Sequence, residues 1–293
     1  MRIIVFNFQE QIKIIIVCVM LTESLQINSG HSSMIHDIKY DYYGDKLASC
    51  GSDGYINVYD VSKKHQVAQI KTRDSPLFSL SWSHPRFGNV LAASSYDGEI
   101  SIFKEQKEWN KVATYQNEGS VNCVQFMPRE LFLACGTSDG FVILLDNNKN
   151  WDVDQKWQAH ESIIHGLCWN QDGSLLATCS ADKLIKVWEF TINNKPQLKY
   201  TIQSHLDVVK DVQFHPLENN ILVSGGDDGK LRIHRLDEDA LESQVIDFHM
   251  TIWRISFNML GNLITVNGES NGQSNLKTLK QENNFQYSVI DCN

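Results

Sequence analysis

Short runs of alternating apolar and polar residues, each closed by a cluster of Gly, Asp, Asn or Ser, make up most of the chain. In LLATCSADKLIKVWEF, Leu175, Leu176 and Ala177 run apolar into Thr178, and Ser180, Ala181, Asp182 and Lys183 mark a turn. Ile185, Val187 and Phe190 then alternate with Lys186 and Glu189 at the period of two of a half-buried strand. The pattern predicts a β-hairpin. A lone hairpin is only marginally stable in water, so other strands must complete it.

The same hairpin recurs down the chain. Its turn reads SCGSDG at Asp53, SSYDGE at Asp97, CGTSDG at Asp139, CSADK at Asp182 and GGDDGK at Asp228, at steps of 44, 42, 43 and 46 residues. A degenerate sixth copy, TVNGESNG, puts Ser270 another 42 residues on. Six residues after each marker stands a bulky residue: Tyr59, Phe103, Leu145, Trp188, His234 or Leu276. Upstream of each turn lies a further strand pattern: MIHDIKY, LFSLSWS, VNCVQFM, IIHGLCW, VVKDVQF and IWRISFN. Three strands and a looser stretch with room for a fourth, repeated every 42–46 residues, predict the four-stranded blades of an all-β propeller. Such blades bury their faces only against one another, which is what completes the hairpin.

Composition narrows the function. The 293 residues are 42% hydrophobic and 21% charged, with five prolines and no linker-like tract, so residues 29–293 are expected to form a single domain. A net charge of −9 with scattered Lys and Arg leaves no electrostatic footprint for a phosphate backbone. The seven cysteines are odd in number and never spaced CxxC, which fits buried thiols in a reducing compartment. No HExxH, GxSxG or phosphate-cradling glycine loop is present. The turn aspartates occur once per repeat, whereas a metal or acid–base site converges once per protein. No enzyme activity, cofactor, metal or small-molecule substrate is expected, and Trp82, Trp169 and Trp253 read as strand-packing residues.

In the fourth copy His160, Thr178, Asp182 and Trp188 stand where WD repeats carry a buried hydrogen-bonded network, and the chain resembles that family. The resemblance implies the same role for His31, Ser49 and Asp53 in the first copy and for His205, Ser224 and Asp228 in the fifth. Copies two, three and six lack the histidine. The loops DYYG and SHPRFGN, with KWQAHES, HLDVVKDVQFHP and IWRISFNMLGNLITVNGES, further resemble the WD-repeat proteins shared by the outer COPII vesicle coat and the Y-shaped scaffold of the nuclear pore, across residues 29–293.

That resemblance implies an open six-bladed ring which accepts an inserted blade from a large helical coat subunit or a helical nucleoporin, at endoplasmic reticulum exit sites and at the pore. The partner-facing edges are then expected at Met34, Ile35 and Asp37 of the first blade and Trp253, Ile255 and Phe257 of the last. A closed WD-repeat adaptor that binds peptides, such as a ubiquitin-ligase substrate receptor, is the alternative. Ser270 and Leu276 replace the usual Asp and aromatic, so the sixth blade is expected to pack more loosely.

Residues 1–28 stand apart. The apolar run from Ile14 to Leu21 is short of the ~20 residues that a membrane-spanning helix needs. It reads as an edge strand or as residues outside the working protein. The family's short lead before its first blade makes Met20, eleven residues before His31, the expected initiator.

Overall fold

The computed structural model describes residues 2–8, 11–17, 24–190, 195–236, 242–282 and 286–290. Met20, the expected initiator, lies outside them, as do Cys18 and Cys292. Beyond two 3-10 turns at Pro85–Phe87 and Asn147–Lys149, the regular structure is all strand.

Three strands precede the repeats: β1 (Arg2–Phe8), β2 (Gln11–Val17) and β3 (Ser24–Asn28). They pair antiparallel in the order β1-β2-β3. Six four-stranded antiparallel sheets follow, each with its strands in chain order. Blade 1 holds β4 (Ile35–Tyr40), β5 (Lys46–Gly51), β6 (Tyr55–Asp60) and β7 (His65–Lys71). Blade 2 holds β8 (Leu77–Trp82), β9 (Val90–Ser95), β10 (Glu99–Glu105) and β11 (Trp109–Gln116). Blade 3 holds β12 (Val121–Phe126), β13 (Phe132–Thr137), β14 (Phe141–Asp146) and β15 (Asp152–Gln158). Blade 4 holds β16 (Ile164–Trp169), β17 (Leu175–Ser180), β18 (Ile185–Phe190) and β19 (Pro196–Ile202). Blade 5 holds β20 (Val209–Phe214), β21 (Ile221–Gly226), β22 (Lys230–Arg235) and β23 (Glu242–Asp247). Blade 6 holds β24 (Thr251–Phe257), β25 (Leu263–Ser270), β26 (Gln273–Gln281) and β27 (Tyr287–Ile290). The fold is therefore a β-propeller with six four-stranded blades, and the looser stretch of each repeat is its outer strand.

Contacts divide the chain into two compact units whose border runs through blade 3. In the first unit Ala48, Cys50, Ile56 and Val58 of blade 1 pack against Leu77, Leu80, Leu91, Ala93 and Phe103 of blade 2. Val90, Ala92, Ile100 and Ile102 of blade 2 meet Val121, Val124, Leu133 and Ile143 of blade 3. In the second unit Ala177, Cys179, Ile185 and Val187 of blade 4 pack on Val209, Val212 and Phe214 of blade 5, and Val223, Leu231 and Ile233 of blade 5 pack on Ile252, Ile255 and Val266 of blade 6. The middle strands feed both faces, so β9, β13, β17 and β21 are buried at every position. Their near-continuous apolar sequence is the consequence.

The turns follow from backbone strain. Gly54, Gly98, Gly140 and Gly229 hold φ between +70° and +86°. At Gly140 a Cβ would lie 2.2 Å from the His160 carbonyl oxygen, so only glycine fits. In the fourth copy Lys183 occupies that position at φ 71°. The last hairpin is different. Ser270 pairs directly with Gln273 across Asn271 and Gly272, both at positive φ, a two-residue Asn-Gly turn. Leu276 there is only half-buried, against 7% exposure for Trp188 and none for Tyr59 or Leu145, so the tip of blade 6 is the looser one.

Candidate interaction site

The WD-type network of blade 4 is built by four segments. His160 lies in the loop entering the blade, Thr178 on β17, Asp182 in the turn and Trp188 on β18. Trp188 Nε1 donates to Thr178 Oγ1 over 3.1 Å, His160 Nε2 meets that hydroxyl at 2.9 Å, and His160 Nδ1 stands 2.8 Å from Asp182 Oδ2. An indole can only donate, so the threonine hydroxyl accepts from Trp188 and donates to His160 Nε2. The proton of His160 is then on Nδ1, held by Asp182. Burial lowers the imidazole pKa, opposed by the Asp182 charge, and the ring is neutral. Each of these four side chains finds its hydrogen-bond partners within the blade, which fixes the loop over it.

Blade 1 repeats the plan with Tyr59 for Trp188. His31 Nδ1 lies 3.0 Å from Asp53, its Nε2 2.8 Å from Ser49 Oγ, and that hydroxyl 2.9 Å from Tyr59 Oη. Tyr59 also donates to the Ser29 carbonyl, and burial pushes its phenol up to about 12. In blade 5, His205 Nδ1 is 3.0 Å from Asp228 and its Nε2 2.8 Å from Ser224 Oγ, which is also 2.8 Å from His234 Nε2. One hydroxyl proton cannot serve both imidazoles, so one of the two rings donates to Ser224 Oγ, and His234 Nδ1 is left without a partner. Arg232 Nη1 adds 2.7 Å to Asp228 Oδ2.

Copies that lost the histidine also lost the hydroxyl: buried Ala93, Cys135 and Val266 replace Ser49, Thr178 and Ser224. Blade 2 substitutes a charge cluster, in which buried Glu99 meets Arg73, Ser101 and Lys111, the last at 2.7 Å. Burial pulls the Glu99 carboxyl up, but Lys111 and Ser101 hold it below its ordinary value.

A second polar system, absent from the sequence reading, ties neighbouring blades. Each innermost strand bulges once at the same place, between Ile35 and Asp37, Leu77 and Ser79, Val121 and Cys123, Ile164 and Gly166, Val209 and Asp211, or Ile252 and Arg254. The bulge turns a backbone amide towards the preceding blade. Asp37 Oδ2 accepts from Leu80 N at 2.9 Å, Ser79 Oγ from Val124 N at 3.4 Å and Asp211 Oδ2 from Ile255 N at 2.7 Å. An acidic residue two places after the first aliphatic of an innermost strand, in IHDIKY and VKDVQF, was the available signal.

This system revises the expected edges. Asp37 is 8% exposed and committed to blade 2, and Ile255 is 4% exposed within the contact between blades 5 and 6, so neither faces outwards. Ile35 is half-buried beside Leu47 and Tyr59, and Phe257 packs on His215 and Tyr287. Only Met34, at 56% exposure, and Trp253, at 48% with the Lys210 ammonium 5.4 Å over its ring, present surface. Five of the cysteines, Cys50, Cys123, Cys135, Cys168 and Cys179, are buried free thiols, and among the described residues no cluster of His, Cys, Asp and Glu could hold a metal. No helix among the described residues is long and apolar enough to cross a membrane.

The WD domain, G-beta repeat family matches residues 22–60, 109–146, 151–189 and 196–235. The chain is 32% identical over 280 residues to the protein transport protein sec13 of Emericella nidulans, covering 83% of this chain and 91% of that one. It is 29% identical over 298 residues to the SEC13 homolog of Drosophila melanogaster, covering 91% of this chain and 83% of that one. With the blade architecture and the His–Ser/Thr–Asp networks in place, these matches establish that the chain belongs to the Sec13 family of WD-repeat proteins.

Proposed function

We propose that this chain is a scaffold subunit of the outer COPII coat and of the Y-shaped nuclear pore subcomplex, which performs no chemistry and accepts an inserted blade from a helical partner. The observation that carries the reading is its likeness to protein transport protein sec13 over 83% of its length. The networks add support, because His31, His160 and His205 spend their hydrogen bonds inside their own blades. The large helical coat subunit is the partner at the cytoplasmic face of endoplasmic reticulum exit sites and on vesicles, and a helical nucleoporin is the partner at the pore. Met34 and Trp253 lie at the edges that receive the donated blade.

The test is capture of endogenously tagged protein from its own cells, washed in high salt and read by mass spectrometry. An apolar inserted blade survives salt that screens rim charges. A helical-repeat coat subunit retained in molar salt is the expected result. A chain recovered alone, folded and stable, would replace this reading with that of a closed peptide-binding adaptor.

A further inference from the structure

Blade 2 lost the histidine of its incoming loop, and its turn shows the consequence. Ser75 stands 22 residues before Asp97, the spacing that separates His31 from Asp53 and His160 from Asp182. Where the histidine is present it takes the turn carboxylate, and the side chains of Asp53, Asp182 and Asp228 are 6%, 11% and 5% exposed. That of Asp97 is 36% exposed. Its Oδ1 accepts from Ser95 Oγ and from Glu99 N, while Arg73, already held by the buried Glu99, comes only to 3.9 Å from Oδ2. The Asp97 carboxylate therefore keeps acceptor capacity turned to solvent.

The neighbouring residue changes as well. Ser52, Ser138, Ala181 and Asp227 precede the turn aspartate in the other copies that have one, whereas blade 2 has the exposed Tyr96. Its ring meets Phe78 edge to face at 6.0 Å, and Phe78 meets His36 in the same way at 5.6 Å. Phe78 and His36 are the extra residues of the bulges in β8 and β4, released from the ladder and half-buried. His36 Nε2 lies 2.7 Å from Ser52 Oγ, which anchors the far end of this aromatic row.

Glu118 supplies a second carboxylate. A Cβ on Gly98 would lie 2.3 Å from the Asn117 carbonyl oxygen and 2.6 Å from that of Gly119, so the loop that carries exposed Glu118 rests directly on the turn of Tyr96 and Asp97. Lys71 pairs with Asp74 at 2.7 Å and Arg73 with Glu99, which leaves Asp97 and Glu118 as net negative charge beside the rings.

We infer that Tyr96, Phe78, Asp97 and Glu118 form a docking site for a basic linear segment of a partner, which lays a Lys or Arg side chain over the Tyr96 ring with its charge between the two carboxylates. Electron-rich ring faces and carboxylates share one preference, a cation, and both repel an acidic peptide. Nothing in the site depends on an inserted blade.

A fluorescently labelled peptide of alternating Gly and Arg, titrated with the full chain at low salt, tests the site by its anisotropy. Saturable binding is expected, and none for a peptide of alternating Gly and Glu. Tyr96→Ala, which keeps every charge, and Asp97→Asn, which keeps the Oδ1 acceptor, are each expected to weaken binding at least about fivefold. Glu118→Gln lies outside the turn and is expected to weaken it too, which keeps the test decisive should a turn variant not fold. Glu108→Gln removes an exposed charge elsewhere and is expected to leave the affinity within about twofold. Failure to saturate by about 1 mM peptide overturns the inference. So does a Tyr96→Ala chain that binds as well as the unaltered one, or a loss in Glu108→Gln as large as in Asp97→Asn, because the peptide would then read only the overall charge of −9.

Discussion

His234 shows how one side chain sets a response to pH. Burial, with His205 and Arg232 nearby, pushes its pKa down to about 3, and burial also lowers His31, His160 and His205 against the pull of their aspartates. In the unfolded chain these rings titrate near 6.5, so between that value and about 3 the folded chain binds fewer protons. Stability therefore rises with pH across this window and is lost on acidification. From His234 alone the loss at pH 5 is about 2 kcal/mol. Urea unfolding of His234→Phe is expected to show a smaller drop between pH 7 and pH 5, by about that amount; an unchanged drop would place the proton elsewhere. Thr178→Val tests the direction of the blade 4 network. It strands both Trp188 Nε1 and His160 Nε2, and unfolding is expected to cost at least about 2 kcal/mol.

At the scale of the element, the turn between the two middle strands is the most constrained piece of each blade. Gly140→Ala sets a Cβ against the His160 carbonyl at a φ of +84°, and a destabilisation of about 2–4 kcal/mol is expected in thermal melts. Lys183→Gly relieves the same backbone strain in the fourth copy, where a gain of about 0.5 kcal/mol is expected. These turns were legible because the Asp-Gly pair recurs at a fixed step, and local chemistry decides a tight turn. The fourth strands were not. β7, β11 and β15 mix exposed and half-buried positions, so their sequences carry little apolar periodicity and pairing with the third strand alone specifies them. Asp37 was misplaced for a related reason: the sequence locates a carboxylate on an innermost strand but not the neighbouring amide it will meet.

Within each of the two compact units, blades are joined by apolar faces with a few buried polar ties. Asp37→Ala and Asp211→Ala each leave an amide of the next blade unpaired, at about 1–3 kcal/mol apiece. They share no partner, so the double variant is expected to lose their sum to within about 0.5 kcal/mol in urea titrations. A larger loss would reveal coupling between blades.

The sequence by itself determined the repeat, the number of blades and the three inner strands of each. All of these depend on residues within one copy, where the period of two and the turn chemistry act over short distances. Tertiary structure decided which faces pack within each compact unit, that Asp37 and Ile255 are interior, and that Ile27 of β3 packs on Leu47 and Tyr59 of blade 1. These are properties of pairs of elements, set by packing and by the hydrogen bonds a bulge releases. A single copy read in isolation holds no record of what will be stacked upon it.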